Sequence, residues 1–512
     1  MLWSPAMQGS HSSLFQTAPQ TWGRSSGIHF VKNYVYNAPF CARVNSEAFS
    51  LYLQLIMKDF VNAINNVIWS PALVVLLVCA GLYFSVGTRF VQIRKIGTML
   101  RLLKPSRKKS EGISSFEAFC MTLSGRVGTG NIVGVATAIA VGGPGSVFWM
   151  WIVALLGAAT AFVESTLAQI YKFKFQGIWR GGPFSYIRQG LNCKWLAAIF
   201  AIVTILGSGL LCATVQANGV AGAMNNSFHI GPAWGGIFIA VLCGAVVIGG
   251  AKRIAKVASI VTPFMALGYI LVTLVVLIFN WSSVPAAFAS IFSNAFGINP
   301  ICGGIVGSAI SMGVKRGLFS NEAGQGTGAI PSASADVDHP AEQGIAQAFS
   351  VYIDTLLVCT GTALMILTTG CFNVIDQASG ELLVANMPEL GNNYVAYTQS
   401  AADTVFTGFG GPFVCISLIF FVFTTLMAYY FYSESSLIYL FRKKKESTTK
   451  LVINIFKILF LAAIIFGALN EADLVWTLAD IGVGTMAWIN VITILILSPK
   501  AFKALRDYEK KQ

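Results

Sequence analysis

The sequence predicts an all-α polytopic membrane protein with eleven transmembrane helices, built as one leading helix and two five-helix halves, spans 2–6 and 7–11, of opposite orientation. Three observations lead there. Of 512 residues, 55% are hydrophobic and 11% charged, whereas a soluble domain carries roughly a quarter charged residues; a soluble globular enzyme is excluded. The apolar residues recur in blocks of roughly 20, the length needed to cross a bilayer as a helix. Two segments rich in Gly and polar residues interrupt these blocks at positions five spans apart.

Apolar blocks place spans near 65–86, 114–140, 145–171, 195–224, 233–250, 257–280, 300–320, 343–370, 410–440, 451–468 and 474–497. Lys and Arg concentrate in every second connection. They follow span one (Arg89 to Lys109), three (Lys172, Lys174, Arg180, Arg188, Lys194), five (Lys252, Arg253, Lys256), seven (Lys315, Arg316) and nine (Arg442 to Lys445), and they crowd the C-terminal end. The connections near 225–232, 281–299, 371–409 and 469–473 contain neither residue. The positive-inside bias then places the C-terminus in the cytoplasm and the start of span one outside. Net charge of +13 therefore reports topology, and no nucleic-acid partner is expected.

Residues 1–56 are rich in Ser, Gln and Gly and show no period. They are expected to lie outside the fold, either as a disordered extension or because translation starts at Met57; residues 57–512 form one transmembrane domain. Ten cysteines without paired spacing and four histidines outside the spans predict neither a metal site nor a cofactor.

A helix in lipid can be interrupted only where protein or a wet cavity satisfies its backbone. The interruptions are Ser124-Gly125-Arg126-Val127-Gly128-Thr129-Gly130-Asn131 in span two and Gly317 to Gly328 at the end of span seven. Glycines four apart, such as Gly130 and Gly134, also serve helix contacts. Recurrence five spans apart favours two broken helices in inverted halves, the signature of a secondary transporter with its sites at the midplane. Free N–H groups of half-helices suit a carboxylate, and freed carbonyls suit a hard cation.

Ionisable residues within spans are functional candidates: Glu117, Arg126, Glu164, Glu322, Asp354, Glu434 and Asp480. Arg126 and Glu322 sit in the interruptions and act as gate or as scaffold. Gln216 and Asn218 on span four serve as interhelical glue or as substrate contacts, and Thr424, Thr425 and Tyr429 place hydroxyls on span nine.

The runs SGRVGTGNIVGVATAI, GGPGSVFWMW, ESTLAQIYK, GGPFSYI and RGLFSNEAGQGT, with the opening INNVIWSPALVVLLVCAGLYFSVGTRFVQ, resemble the alanine or glycine:cation symporter family from about Asp59 onward. The resemblance implies a LeuT-type fold of ten core helices plus one N-terminal helix, and uptake of small neutral amino acids with sodium, sometimes with protons, across a bacterial inner membrane. It also implies that Thr129, Gly130, Asn131, Gln216, Phe319, Ser320, Thr425 and Tyr429 meet the substrate. Thr424 and Thr425, with carbonyls around Gly125 and Gly128, would hold sodium. Tyr429 stands where several relatives have Trp, and Ala213 where a bulkier aromatic is expected, so a larger substrate such as serine or glutamine stays open. A channel would need a continuous polar stripe, and a membrane enzyme a nucleophile and base or metal ligands. Neither pattern is visible.

Overall fold

The computed structural model describes residues 58–103, 113–298, 305–376 and 379–511. Contacts divide the chain into a unit Met1–Ala63, described only as helix from residue 58, and a unit Ile64–Gln512. The expectations for residues 1–56 fall outside the described residues. Everything below concerns the larger unit.

That unit is helical. α1 (Pro71–Gly87) leads, with Pro at its start where no donor is lost. α2 (Ser115–Arg126) opens on a reciprocal cap in which Glu117 N–H donates to Ser114 Oγ (3.2 Å) and Ser114 N–H to Glu117 Oε2 (2.8 Å). It ends at Val127, whose backbone is extended. After this break come a π-helical turn, Gly130–Gly134, and α3 (Val135–Gly142). There follow α4 (Gly145–Ile170), α5 (Lys194–Leu206), a second π-turn Gly207–Leu211, α6 (Cys212–Phe228), α7 (Pro232–Val247) and α8 (Gly250–Phe279).

The second broken segment consists of α9 (Val306–Asn321), a non-helical stretch, and α10 (Ala329–Ser334). α11 (Pro340–Val351) continues through π-helical Tyr352–Cys359 into α12 (Thr360–Thr369). α13 (Gly410–Phe441), α14 (Glu446–Leu469) and α15 (Ala472–Lys510) complete the bundle. Two antiparallel hairpins lie between helices: β1 (Phe173–Phe175) with β2 (Ile178–Arg180), and β3 (Asn373–Ile375) with β4 (Leu382–Ala385). The first turns on Gln176 and Gly177, both at positive φ, the backbone that matches strand twist in a two-residue loop.

Among the described residues, eight helical stretches are long and apolar enough to cross a membrane, and two shorter apolar helices, Gly130–Gly142 and Pro232–Val247, accompany them. Large apolar side chains such as Phe264, Leu267, Leu271 and Ile278 are exposed along α8, as a lipid-facing surface requires. Where helices cross, small residues allow backbone approach: a Cβ on Gly313 of α9 would stand 2.5 Å from Ser146 O of α4.

One expectation is corrected. Lys315 and Arg316 do not occupy a connection after span seven; both lie inside α9, and Arg316 is buried. Their Nζ and Nη2 reach Asp480 Oδ2 of α15 at 2.7 and 2.8 Å, and Arg316 packs over the Trp476 ring at 4.4 Å. α9 therefore continues past these charges to Asn321, and the break begins only after it. Charge alternation alone assigns two adjacent cations to a connection; an ion pair and an aromatic face let the helix carry them in its interior.

Candidate substrate and cation site

The first break touches the end of α9. A Cβ on Gly130 would lie 3.2 Å from both Phe319 Cδ1 and Ser320 Cα, so this glycine lets the first break rest against the end of α9. Thr129, Gly130, Asn131, Gln216, Phe319, Ser320, Thr425 and Tyr429 are all buried. Gln216 Oε1, on α6, accepts from Thr129 N–H at 2.9 Å, which satisfies a donor freed by the break. Thr129 Oγ1 has no partner among the described residues.

α13 closes the opposite side. Thr425 Oγ1 stands 2.9 Å from Ser124 O and 3.0 Å from Val127 O. These two carbonyls each precede by one residue the glycines named from the sequence, Gly125 and Gly128. A Cβ on Gly128 would meet Thr425 Oγ1 at 2.6 Å and Gln216 Oε1 at 2.8 Å, and one on Gly125 would collide with the Tyr432 hydroxyl. Both glycines are thus required by what surrounds them. Thr424 points elsewhere, with Oγ1 bonded to Phe420 O and Phe421 O of its own helix and 3.4 Å from Met265 Sδ on α8. Thr425 and Thr424 are therefore not brought together at one seam. Tyr429, one turn after Thr425, lies 6.0 Å ring to ring from Tyr432.

Asn131 bonds protein groups at both ends of its amide: Oδ1 accepts from Gly128 N–H (2.8 Å), and Nδ2 donates to Asp354 Oδ1 (2.6 Å). Ser320 Oγ meets both Asp354 oxygens at 3.0 Å. Phe319 packs on Trp476 of α15, ring centroids 4.8 Å apart, and the Arg316–Asp480 pair lies beside that stack.

The second break runs from Glu322 to Gly328. Glu322, Gly324 and Gly326 have positive φ of 56°, 99° and 85°, values that favour glycine. Neighbours hold it in place: Asn490 Nδ2 donates to Gly324 O (2.9 Å) and to Glu164 Oε2 (3.0 Å), while Gln325 Nε2 donates to Leu318 O (2.7 Å). Glu322 accepts from Tyr432 OH at 3.2 Å. Arg126 bonds Gln347 O (3.0 Å) and Ser350 Oγ of α11, with Nε and Nη2 unpartnered; among the described residues it forms no ion pair, with Glu322 or with any other carboxylate.

Asp354, Glu164, Asn490, Trp476 and Asp480 were not placed in the site from sequence. Three of them were visible as lone acidic residues in apolar spans; Asn490 and Trp476 left no signal beyond ordinary polar or aromatic residues.

Paired broken helices are where secondary transporters with inverted repeats place their substrate and ion sites. The sodium:alanine symporter family profile matches residues 54–512. The chain belongs to that family. Among its relatives, YrbD of Bacillus subtilis (strain 168), named for sodium/proton-dependent alanine carriage, is 48% identical over 89% of this chain and 93% of its own. The sodium/proton-dependent alanine carrier protein of Bacillus sp. (strain PS3) is 46% identical over 81% and 92%. GlnT of Bacillus subtilis (strain 168), named a probable sodium/glutamine symporter, is 40% identical over 90% and 92%. Among solved structures, MhsT in complex with L-phenylalanine aligns over 78% of this chain and 99% of its own with TM-score 0.50 at 14% identity. That likeness concerns the fold alone, and it makes this family member LeuT-like.

Proposed function

We propose that the protein is a sodium-coupled symporter that imports small neutral amino acids, alanine and glycine, across a bacterial inner membrane by alternating access. In this reading, eleven spans form a leading helix and two inverted halves, with the C-terminus in the cytoplasm, and the chain transports and does not catalyse. No resident cofactor is required; sodium is cargo. The observation that carries the reading is Thr425 Oγ1 lying between the Ser124 and Val127 carbonyls while the same break rests on Phe319 and Ser320.

Sodium held by Thr425 and those carbonyls stiffens the Val127–Thr129 turn. The stiffened turn fixes the Thr129 hydroxyl, which has no partner among the described residues, for the substrate's main-chain groups. Gln216, which already caps Thr129, and Tyr429 line the same space from α6 and α13. Each ligand then lowers the ordering cost of the other, which is the coupling free energy between them. A potential of about 100 mV contributes about 2.3 kcal/mol per sodium carried inward. Arg126 serves as scaffold, through its bonds to α11.

A second reading, a larger substrate such as glutamine, draws on the relative named for glutamine and on the Tyr429 hydroxyl. Uptake of labelled alanine, glycine, serine and glutamine into proteoliposomes, with and without an inward sodium gradient, tests both. Sodium-dependent accumulation of alanine or glycine supports the first reading; accumulation of glutamine alone replaces it with the second.

A further inference from the structure

Among the described residues, the other buried carboxylates have a cation beside them: Glu434 has Arg180 at 3.0 Å, and Asp480 has Lys315 and Arg316 at 2.7 and 2.8 Å. The three around the breaks differ. Glu164, Glu322 and Asp354 are at most 1% exposed, and among the described residues none has a cation within 4.0 Å. The one guanidinium that acts on all three is Arg126, itself buried. With every group ionised the cluster carries a formal charge of −2, which a dry interior tolerates poorly unless cations join it. One compensating cation is the sodium of the proposed site. The second charge needs another occupant.

Asp354 is placed to receive it. It lies in the π-helical stretch Tyr352–Cys359, a local widening that recurs at functional positions. Of the three carboxylates, it alone is bonded both to the first break and to the end of α9: Oδ1 accepts from Asn131 Nδ2 (2.6 Å), and both oxygens face Ser320 Oγ (3.0 Å). Thr355 Oγ1 donates to Oδ2 at 2.6 Å. Glu322 is bonded to Tyr432, and Glu164 to Asn490 and Gly324. The groups facing Asp354 are Arg126 from the first break, Glu322 from the second and Cys359 from its own helix. Behind these, Glu164 and Tyr432 act on Arg126, and Tyr269 acts on Cys359.

The chemistry separates a proton from a metal cation. Gly128 N–H occupies Asn131 Oδ1 and so turns the amide's donor end, Nδ2, toward the carboxylate. A sodium ion would face that donor, whereas a proton on Oδ2 needs only that the Thr355 or Ser320 hydroxyl turn from donor to acceptor. We propose that Asp354 is a proton-binding site of the transport cycle, separate from the sodium site. A proton arriving from outside joins a carboxylate oxygen, redistributes the bonds that tie Asn131 to Ser320, and leaves to the cytoplasm after the substrate. This inference rests on the symport reading.

The test is alanine uptake into proteoliposomes at fixed sodium gradient and clamped potential, with and without an inward proton gradient of one pH unit. With one proton per alanine, wild-type steady-state accumulation rises ten-fold. Asp354→Asn gives a ratio of one whatever its absolute rate, and Asp354→Glu restores a response. Should Asp354→Asn bind alanine without moving it, proton exchange on adding alanine to weakly buffered detergent solution decides: present in wild type, absent in the variant. A wild-type ratio of one, an undiminished ratio or proton signal in Asp354→Asn, or loss of alanine binding in both variants overturns the proposal. No sodium-driven alanine uptake by the wild type instead overturns the symport reading itself.

Discussion

The two breaks free backbone groups by different means. The first is short, with an extended Val127, a π-turn at Gly130–Gly134 and no left-handed residue. Side chains from other helices shape it: Thr425 and Gln216 fill the space that a Cβ on Gly128 would need. The second is seven residues long and is shaped by its own backbone, with three positive φ values, while Asn490 and Gln325 fasten it. A short break clamped by foreign side chains responds to what binds between them, whereas a long, left-handed break pinned by hydrogen bonds is preset. On the proposed symport reading, ligand-responsive ordering belongs to the first break and a fixed frame to the second.

Gly128→Ala is the harshest way to break the comparison. The added methyl meets Thr425 Oγ1 and Gln216 Oε1 below contact distance, and overpacking of this kind costs about 1–3 kcal/mol. Alanine uptake in proteoliposomes is expected to fall about a hundred-fold, 2.7 kcal/mol at the rate-limiting step, with normal protein yield. A rate within two-fold of wild type would show that the first break is not clamped.

Asn490→Ala attacks the frame. It strips bonds from Gly324 O and the Tyr186 hydroxyl and one of two from Glu164 Oε2, and each buried group left unpaired costs about 1–3 kcal/mol. The expected outcome is lower thermal stability in detergent, with sodium affinity unchanged in the protein that remains folded. Stability equal to wild type would make the second break as adaptable as the first.

Thr425→Val sharpens the assignment of the clamp. Loss of a hydroxyl that faces two carbonyls is worth about 1.4 kcal/mol, close to the typical hydrogen-bond value, so the sodium concentration for half-maximal uptake should rise about ten-fold. Thr424→Val is the smallest change. Its hydroxyl bonds only its own helix and Met265, and a shift below about two-fold is expected from the exchange of a local bond for a methyl. Equal shifts in both variants would remove the distinction between the neighbours.

Much of this was legible. Apolar blocks and glycine runs located the breaks because lipid forbids unsupported backbone, and motif order pointed to Thr129, Gln216, Ser320 and Thr425. Side-chain direction was not legible: nothing in Thr424-Thr425 says which hydroxyl faces α2 and which faces α8. Nor does charge reveal its partner. Arg316 looked like a connection because its compensation, Asp480 and Trp476, lies 160 or more residues away in sequence. Asp354 was visible as a lone acid in an apolar span, but its bonds to Asn131 and Ser320 depend on a π-turn that no period announces.

The central claim is that sodium and the amino acid share the first break and order it together. Calorimetric titration of purified protein with alanine, across a series of sodium concentrations, tests it most directly. The account predicts that sodium tightens alanine binding and that alanine tightens sodium binding by the same factor, with both effects lost in Gly128→Ala. Alanine affinity independent of sodium, in protein that binds both, would contradict it.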